Sequence, residues 1–319
     1  MEKKKQSPLQ VCMKYGTYLL FLFVVLIMLI ASSKFRTLTN AVNILLQNST
    51  LGVLAVGMTL VIITGGIDVS VGAIMTCSAC IAAVLITEHG LNQWVGMLLT
   101  LVVGTLFGAL NGYSVAYLRM PPFLVTLATQ SIGKGLALVI SRGNTYRKYS
   151  PAITWLGNTS FLGIPVLVWL MLLCMVVGFF VLHRTVYGRK VLAIGGNADA
   201  ARVSGINVRW INMSTYTILG FFCGLASIMT VARIGSYWTA LGDGIEFDVI
   251  AGVVIGGTSL SGGSGTIPGT LVGILLMGVI SNALNLLGVD AYWQNVAKGV
   301  VIFIAVMIDA FRSRYAQAE

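Results

Sequence analysis

Long apolar runs separated by short polar stretches constrain the fold of this 319-residue chain more than any other feature. A helix needs roughly 20 apolar residues to cross the hydrocarbon core of a bilayer. Because lipid offers no hydrogen-bond partners, only helices or closed barrels satisfy the backbone there. The runs are continuous rather than alternating, which favours helices. With 57% hydrophobic and 9% charged residues, the chain has too little polar surface to cover a soluble globule.

The apolar runs predict an all-α integral membrane protein with about ten transmembrane helices in one domain, residues 1–319. The eighth run is about half the usual spanning length, so it is either extended by its flanks or is a broken or re-entrant segment. The predicted spans lie near residues 16–33, 47–64, 71–87, 94–118, 123–140, 164–182, 213–232, 247–257, 267–286 and 294–310.

The positive charge of the chain indicates its orientation rather than a nucleic-acid partner. The formal net charge is +10, and the basic residues lie in short clusters between the apolar runs. Cytoplasmic loops of membrane proteins carry an excess of Lys and Arg. When the amino terminus is placed inside, the larger share of the basic residues falls on the cytoplasmic side. We therefore expect both termini in the cytoplasm and no binding of nucleic acid.

The sequence lacks the residue sets that catalysis or ATP hydrolysis would need. Its only histidines, His89 and His183, are predicted in loops on opposite sides, and no Gly-x-x-x-x-Gly-Lys-Ser/Thr phosphate loop is present. Ser259 follows Gly-Thr as an intramembrane protease serine can, but no span holds a histidine to activate it. Cys77 and Cys80 have metal-ligand spacing without a second pair. We expect no enzyme, metal or cofactor in this chain; an intramembrane hydrolase is the enzymatic alternative.

Glycine interrupts the chain after two of the apolar runs and forms a small-residue face on another. Residues 65–72 and 256–263 share the pattern Gly-Gly-x-x-apolar-Ser-x-Gly, each after an apolar run. Glycine-interrupted segments in matching places are typical of translocation sites, so the pair is either an internal repeat or a chance match. Gly104, Gly108 and Gly112 place three small residues on one helix face, which predicts close packing against another helix.

Polar residues in or near the spans are candidates for a translocation pathway. Asp68 is costly at the edge of a span unless it is paired or hydrated, and it either lines a pathway or caps the next helix with Ser70. Lys134 either snorkels to an interface or pairs with a carboxylate. The amides either face a cavity for a polyhydroxyl solute or join helices by hydrogen bonds. The pathway candidates are Asp68, Ser70, Asn111, Gln130, Ser259, Asn282 and Asn285.

The longest hydrophilic connection, about residues 183–212, is predicted on the cytoplasmic side. It is basic, and it contains a helix-competent stretch at 199–203 preceded by Gly195, Gly196 and Asn197. Two interpretations remain open from the residues alone. The connection is either a docking element for a cytoplasmic partner or a solvated loop whose arginines set the topology.

Four segments in a fixed order carry a resemblance to a known family. They are residues 55–72, 122–127 (Pro-Phe-Leu-Val-Thr-Leu), 188–208 and 256–270, the last continuing to 282–289. As a set they resemble the permease subunits of bacterial ABC importers for monosaccharides, of the ribose-permease type. The resemblance covers most of the chain beyond the first span.

The resemblance implies a permease in the cytoplasmic (inner) membrane that translocates a monosaccharide, with a pentose such as ribose as the first expectation. Nucleosides or a sugar-like signal are the alternatives. The implied partners are membrane lipid, a second permease subunit in a homo- or heterodimer, a cytoplasmic ATPase with two cassettes that uses ATP and Mg, and an extracytoplasmic sugar-binding protein. The segment that would couple the permease to the ATPase comprises Gly195, Gly196, Asn197, Ala200, Ala201, Arg202, Ser204 and Gly205.

Overall fold

A computed structural model describes residues 8–147 and 151–318, and helices account for most of them. The helices are α1 (Pro8–Ala31), α2 (Leu38–Ile63), α3 (Val71–Thr87), α4 (Gln93–Ala116), α5 (Pro122–Ser141), α6 (Pro151–Asn158), α7 (Val166–Arg184), α8 (Val186–Gly196), α9 (Ala198–Val203), α10 (Val208–Ile234), α11 (Ile245–Ile255), α12 (Ile267–Leu286) and α13 (Ala291–Ala318).

Four two-residue strands form two small antiparallel pairs beside the helices. Strand β1 (Tyr146–Arg147) pairs with β4 (Ser236–Tyr237), and β2 (Ser160–Phe161) pairs with β3 (Ile164–Pro165). All four lie in the connections between helices.

Six helices among the described residues are long and apolar enough to cross a membrane: α2, α4, α5, α7, α10 and α12. Three shorter apolar helices cover 16–31, 71–87 and 292–307. This agrees with a multi-pass helical membrane protein, while the count of ten crossings and the side of the termini stay predictions. Helix α11 corresponds to the eighth apolar run and has 11 residues. It rises only about 16 Å, which favours the broken-segment interpretation.

Helix α2 lies at the centre of the bundle. Its apolar side chains are buried on every face over most of its length, with α10 and α12 packed against it. A helix that is hydrophobic all round belongs in a core or a membrane. The outer helices α4, α5 and α7 instead expose apolar side chains such as Leu106, Ile132 and Phe180, as a lipid-facing surface would.

The glycine face of α4 packs directly on α10, as its spacing predicts. A Cβ atom on Gly104 would lie 2.5 Å from the carbonyl oxygen of Gly220, and one on Gly108 would overlap the carbonyl oxygen of Tyr216. A Cβ on Gly112 would lie 2.5 Å from the carbonyl oxygen of Met213. Since lipid supplies no hydrophobic force between helices, this backbone contact supplies the dispersion energy that holds the pair together.

Two non-helical segments enter the bundle, residues 64–70 before α3 and residues 238–244 before α11. The second segment contacts the first turns of α3: the backbones of Gly72 and Gly242 touch, and the Gly242 amide donates to Thr76 Oγ1 over 3.0 Å. Gln130, about 12 Å along α5 from its first residue, bonds to Glu246 at the start of α11. The connection 233–246 follows the seventh predicted span, so a cytoplasmic amino terminus predicts it as an outer loop. In the structure its second half descends into the bundle.

Candidate functional site

The carboxylate of Asp68 lies in the break between α2 and α3 and is almost completely buried. Its Oδ1 accepts hydrogen bonds from the backbone amide of Ser70 over 2.8 Å and from Ser70 Oγ over 2.5 Å. Its Oδ2 accepts from Asn111 Nδ2 over 3.3 Å. Asp68 forms no ion pair with any residue that the structure describes. Three hydrogen-bond donors therefore satisfy the oxygens of this buried side chain.

Asn111 on α4 joins this carboxylate to α5. Its Nδ2 also donates to Ser70 Oγ over 2.9 Å, and its Oδ1 accepts from Thr129 Oγ1 over 2.6 Å. We call Asp68, Ser70, Asn111 and Thr129 the Asp68 cluster. It unites three of the residues predicted from the sequence and adds Thr129. The sequence analysis missed Thr129. The three-residue spacing of Thr126 and Thr129, which places both hydroxyls on one face of α5, could have indicated it.

The Asp68 cluster meets the expected capping role only in part. Ser70 is the N-cap residue of α3, but its side chain makes no capping bond to the first turn. Asp68 instead accepts the amide of the cap residue itself. The cluster thus fixes the break in the chain rather than the helix end.

Three carboxylates surround the start of α11, and each has a partner on another helix. Asp243 pairs with Lys134 of α5 over 2.8 Å, and Asp248 pairs with Lys298 of α13 over 2.8 Å. Glu246 Oε1 accepts from Gln130 Nε2 over 2.9 Å. Acidic groups are favourable at a helix amino terminus. The carboxylate alternative for Lys134 is confirmed, while Asp243 and Glu246 were missed because their segment was predicted as an outer loop.

Asn282 and Asn285 have their partners outside the Asp68 cluster. Asn282 of α12 and Asn40 of α2 exchange two amide hydrogen bonds, of 2.9 and 3.1 Å. Asn285 accepts from Gln294 Nε2 of α13 over 2.9 Å. These contacts correspond to the interhelical alternative for the amides.

Ser259 lies in the loop between α11 and α12 and bonds within that loop. Its amide donates to the Ser264 carbonyl over 3.1 Å, and its Oγ accepts from the Ser261 amide over 3.3 Å. Within the described ranges, no hydrogen bond joins Ser259 to a histidine; His183 lies at the end of α7 against the ring of Phe179. The geometry gives the hydrolase alternative no general base.

The predicted coupling segment begins at the end of α8 and contains α9. Asn197 ends the first and caps the second, with Oδ1 accepting from the amides of Asp199 over 3.0 Å and Ala200 over 2.9 Å. In α9 only Ala201 is buried, whereas Val203 is 90% exposed. Gly205 has a φ of +82°, which lets the chain turn after α9 toward α10. The stretch 199–203 is helical as expected, and both Arg202 and Ser204 are exposed.

Glycines from three segments of the chain meet where α8 joins the bundle: Gly65, Gly195, and Gly262 with Gly263. A Cβ atom on Gly195 would overlap the carbonyl oxygen of Ile63 and the amide nitrogen of Gly263. The Gly263 amide donates to the Ile63 carbonyl over 2.9 Å. A Cβ on Gly262 would lie 3.1 Å from the Gly195 carbonyl oxygen and 3.2 Å from the Gly65 nitrogen. We call this backbone contact between the ends of α8, α2 and the 256–266 loop the glycine junction.

Four cysteines lie among the residues whose side chains the structure describes, and none of them forms a disulfide. Cys77, Cys80, Cys174 and Cys223 are free and buried. The described part of the chain contains no group of three or more His, Cys, Asp or Glu side chains that could hold a metal ion.

The class of the protein follows from its match to a family. Residues 40–306 match the family described as "Branched-chain amino acid transport system / permease component". The chain belongs to this family, and the match confirms its resemblance to importer permeases. It is accordingly a membrane permease component and not an enzyme, in a multi-pass arrangement in the cytoplasmic membrane.

Individual relatives are similar over almost the whole chain. The chain is 40% identical to the ribose import permease protein RbsC of Escherichia coli K12, over 93% of this chain and 94% of that protein. It is 41% identical to RbsC of Bacillus subtilis 168, over 95% and 94%. It is 32% identical to the xylose transport system permease protein XylH of Escherichia coli K12, over 86% of each. No solved structure matches the chain.

Proposed function

We propose that this chain is the permease subunit of an ABC importer that translocates a monosaccharide, with ribose as the first candidate. The observation that carries the proposal is the 40% identity to a ribose import permease over 93% of the chain. The similarity to a xylose permease supports a pentose as the solute class. A nucleoside or a sugar-like signal is the alternative.

Three partners belong to the proposal: a second permease subunit, a cytoplasmic ATPase with two cassettes, and an extracytoplasmic sugar-binding protein. The sequence has no phosphate loop of its own, so ATP and Mg would be used by the ATPase. Helix α9 supports a docking role because it projects Val203 and the Asp199–Arg202 pair away from the bundle. With both termini in the cytoplasm, α9 faces the ATPase.

The glycine junction supports a route from α9 to the bundle. Gly195 contacts the end of α2 and the loop before α12, and Gly196 and Asn197 join it to α9. Because these contacts are between backbones, a displacement of α8 moves both segments rather than a flexible side chain. ATP-driven closure of the cassettes would thereby shift the bundle between outward- and inward-facing states.

The Asp68 cluster lies where that shift would change its hydrogen bonds. It includes Asp68 and Ser70 of the break that begins directly after Ile63, and its bonds reach α4 and α5. A carboxylate, an amide and hydroxyls are the groups that bind sugar hydroxyls, so this cluster is our proposed inner part of the pathway.

Reconstitution in proteoliposomes tests the proposal. The expected result is ATP-dependent uptake of labelled ribose that requires the ATPase and the sugar-binding protein. Unlabelled xylose and a nucleoside, added as competitors, identify the solute class. Uptake by the chain alone, driven by an ion gradient, would contradict the proposal.

A further inference from the structure

An ion pair joins the middle of α5 to the segment before α11. The pair is half exposed, although α5 is long and apolar enough to span a membrane. Lys134 Nζ and Asp243 Oδ1 are 2.8 Å apart, and their side chains are 41% and 50% exposed. Lys134 lies about 18 Å from the first residue of α5 and about 10 Å from the last. The pair is therefore well inside the predicted hydrocarbon zone and not at the end of the helix.

Lipid cannot cover this ion pair. A charged residue at the centre of a transmembrane helix is costly in lipid, and such groups face the bundle interior or a water-filled cavity. The second ion pair of the region, Lys298 with Asp248, has the same 2.8 Å distance but side chains only 26% and 22% exposed. That pair is enclosed between α11 and α13, whereas the first is open.

The groups beside the open pair add hydrogen-bonding capacity. Gln130 lies one turn before Lys134 on the same side of α5 and donates to Glu246 Oε1. Glu246 is 3% exposed, and its Oε2 has no hydrogen-bond partner among the described residues. The lysine ammonium retains two donors beyond its bond to Asp243, and the carboxylate retains lone pairs.

We propose that Gln130, Lys134 and Asp243 form a hydroxyl-binding station on the wall of a water-filled translocation pathway, at mid-depth of the bundle. Its ligand is an uncharged polyhydroxyl solute, because the lysine and aspartate charges cancel while both groups keep hydrogen bonds to offer. The station selects against phosphorylated or otherwise charged sugars. This inference rests on the proposed function and names the part of the pathway that the solute contacts.

Thiol labelling tests whether this side of α5 faces water. Ser131 is exposed and lies about 60° round the helix from Lys134, whereas Ile132, also exposed, lies about 160° away. In proteoliposomes, a hydrophilic thiosulfonate should label Ser131→Cys at least about tenfold faster than Ile132→Cys. Ribose should slow the first reaction only. Equal rates, or spontaneous cross-linking of Ser131→Cys to a second copy without labelling, would overturn the proposal.

Neutralising each ion pair separates the station from a structural role. The double variant Lys134→Met with Asp243→Asn should lower the ratio of ribose taken up to ATP hydrolysed at least about tenfold. The matched double variant Lys298→Met with Asp248→Asn should leave that ratio within about twofold. Both are compared after size-exclusion chromatography confirms that the variants assemble.

The outcomes distinguish this inference from the proposed function. Suppose that the unaltered chain transports ribose with its ATPase and that both double variants keep its ratio of ribose taken up to ATP hydrolysed. The proposed station is then refuted, and the importer function stands. If the unaltered chain does not transport a sugar, the proposed function fails first.

Discussion

Replacement of Gly195 by alanine should disconnect α9 from the bundle. The added Cβ would overlap the Ile63 carbonyl oxygen and the Gly263 amide nitrogen, which are backbone atoms that cannot rotate away. It would also separate the two groups that form the 2.9 Å hydrogen bond between Gly263 and Ile63. Overpacking costs about 1–3 kcal/mol, and a lost hydrogen bond costs about 1 kcal/mol.

The net effect follows from these opposing terms. Alanine regains about 0.5–1 kcal/mol of helix propensity over glycine, which leaves roughly 2 kcal/mol of destabilisation at the junction. That free energy corresponds to about 30-fold in an equilibrium constant. Because the junction links α8 to the bundle, we expect sugar uptake per ATP hydrolysed to fall by about this factor.

Gly196→Ala is the matched control, because nothing lies within 4 Å of the Cβ it would add. Both variants are reconstituted with the ATPase and the sugar-binding protein, and ATP hydrolysis and labelled ribose uptake are measured in the same vesicles. The control should stay within about twofold of the unaltered chain. Equal coupling ratios in the two variants would refute the role of the glycine junction.

Three further substitutions test other contacts. Gly108→Leu should reduce the folded yield in detergent by size-exclusion chromatography, because overpacking at the α4–α10 backbone contact costs about 1–3 kcal/mol. Asn111→Ala should lower the thermal midpoint, since a buried carboxylate of the Asp68 cluster that loses a donor costs about 1–3 kcal/mol; the exposed Ser114→Ala should leave it unchanged. Arg202→Glu should weaken binding of the ATPase in a pull-down while folding is retained, as the side chain is exposed; unchanged binding would remove Arg202 from the docking surface.

The positions of the spans were predictable because hydrophobic runs mark the lipid-facing and core residues directly. The predicted runs 71–87 and 267–286 coincide with α3 and α12. The start of α2 was placed too late, at 47 instead of Leu38. Its first turns contain polar residues, and Asn40 is tolerated there only because Asn282 of α12 satisfies its amide.

The acidic start of α11 could not be predicted from local sequence. Residues 233–246 begin with Arg233 and contain Asp243 and Glu246 between two apolar runs, so they indicate a solvated outer loop. Their descent depends on Lys134 and Gln130, which lie more than 100 residues earlier and on another helix. The glycine pairs of the junction were likewise visible as motifs, but their mutual contact is set by tertiary packing.

Accessibility of α9 tests the central claim, that a cytoplasmic ATPase drives this permease through that helix. Val203 is 90% exposed, and the four described native cysteines are buried, so Val203→Cys offers a site whose labelling can be compared with that of the unaltered chain. A membrane-impermeant maleimide should label it in inside-out vesicles and not in right-side-out vesicles, and bound ATPase should protect it. Labelling from the outside, or labelling that the ATPase does not slow, would contradict the account.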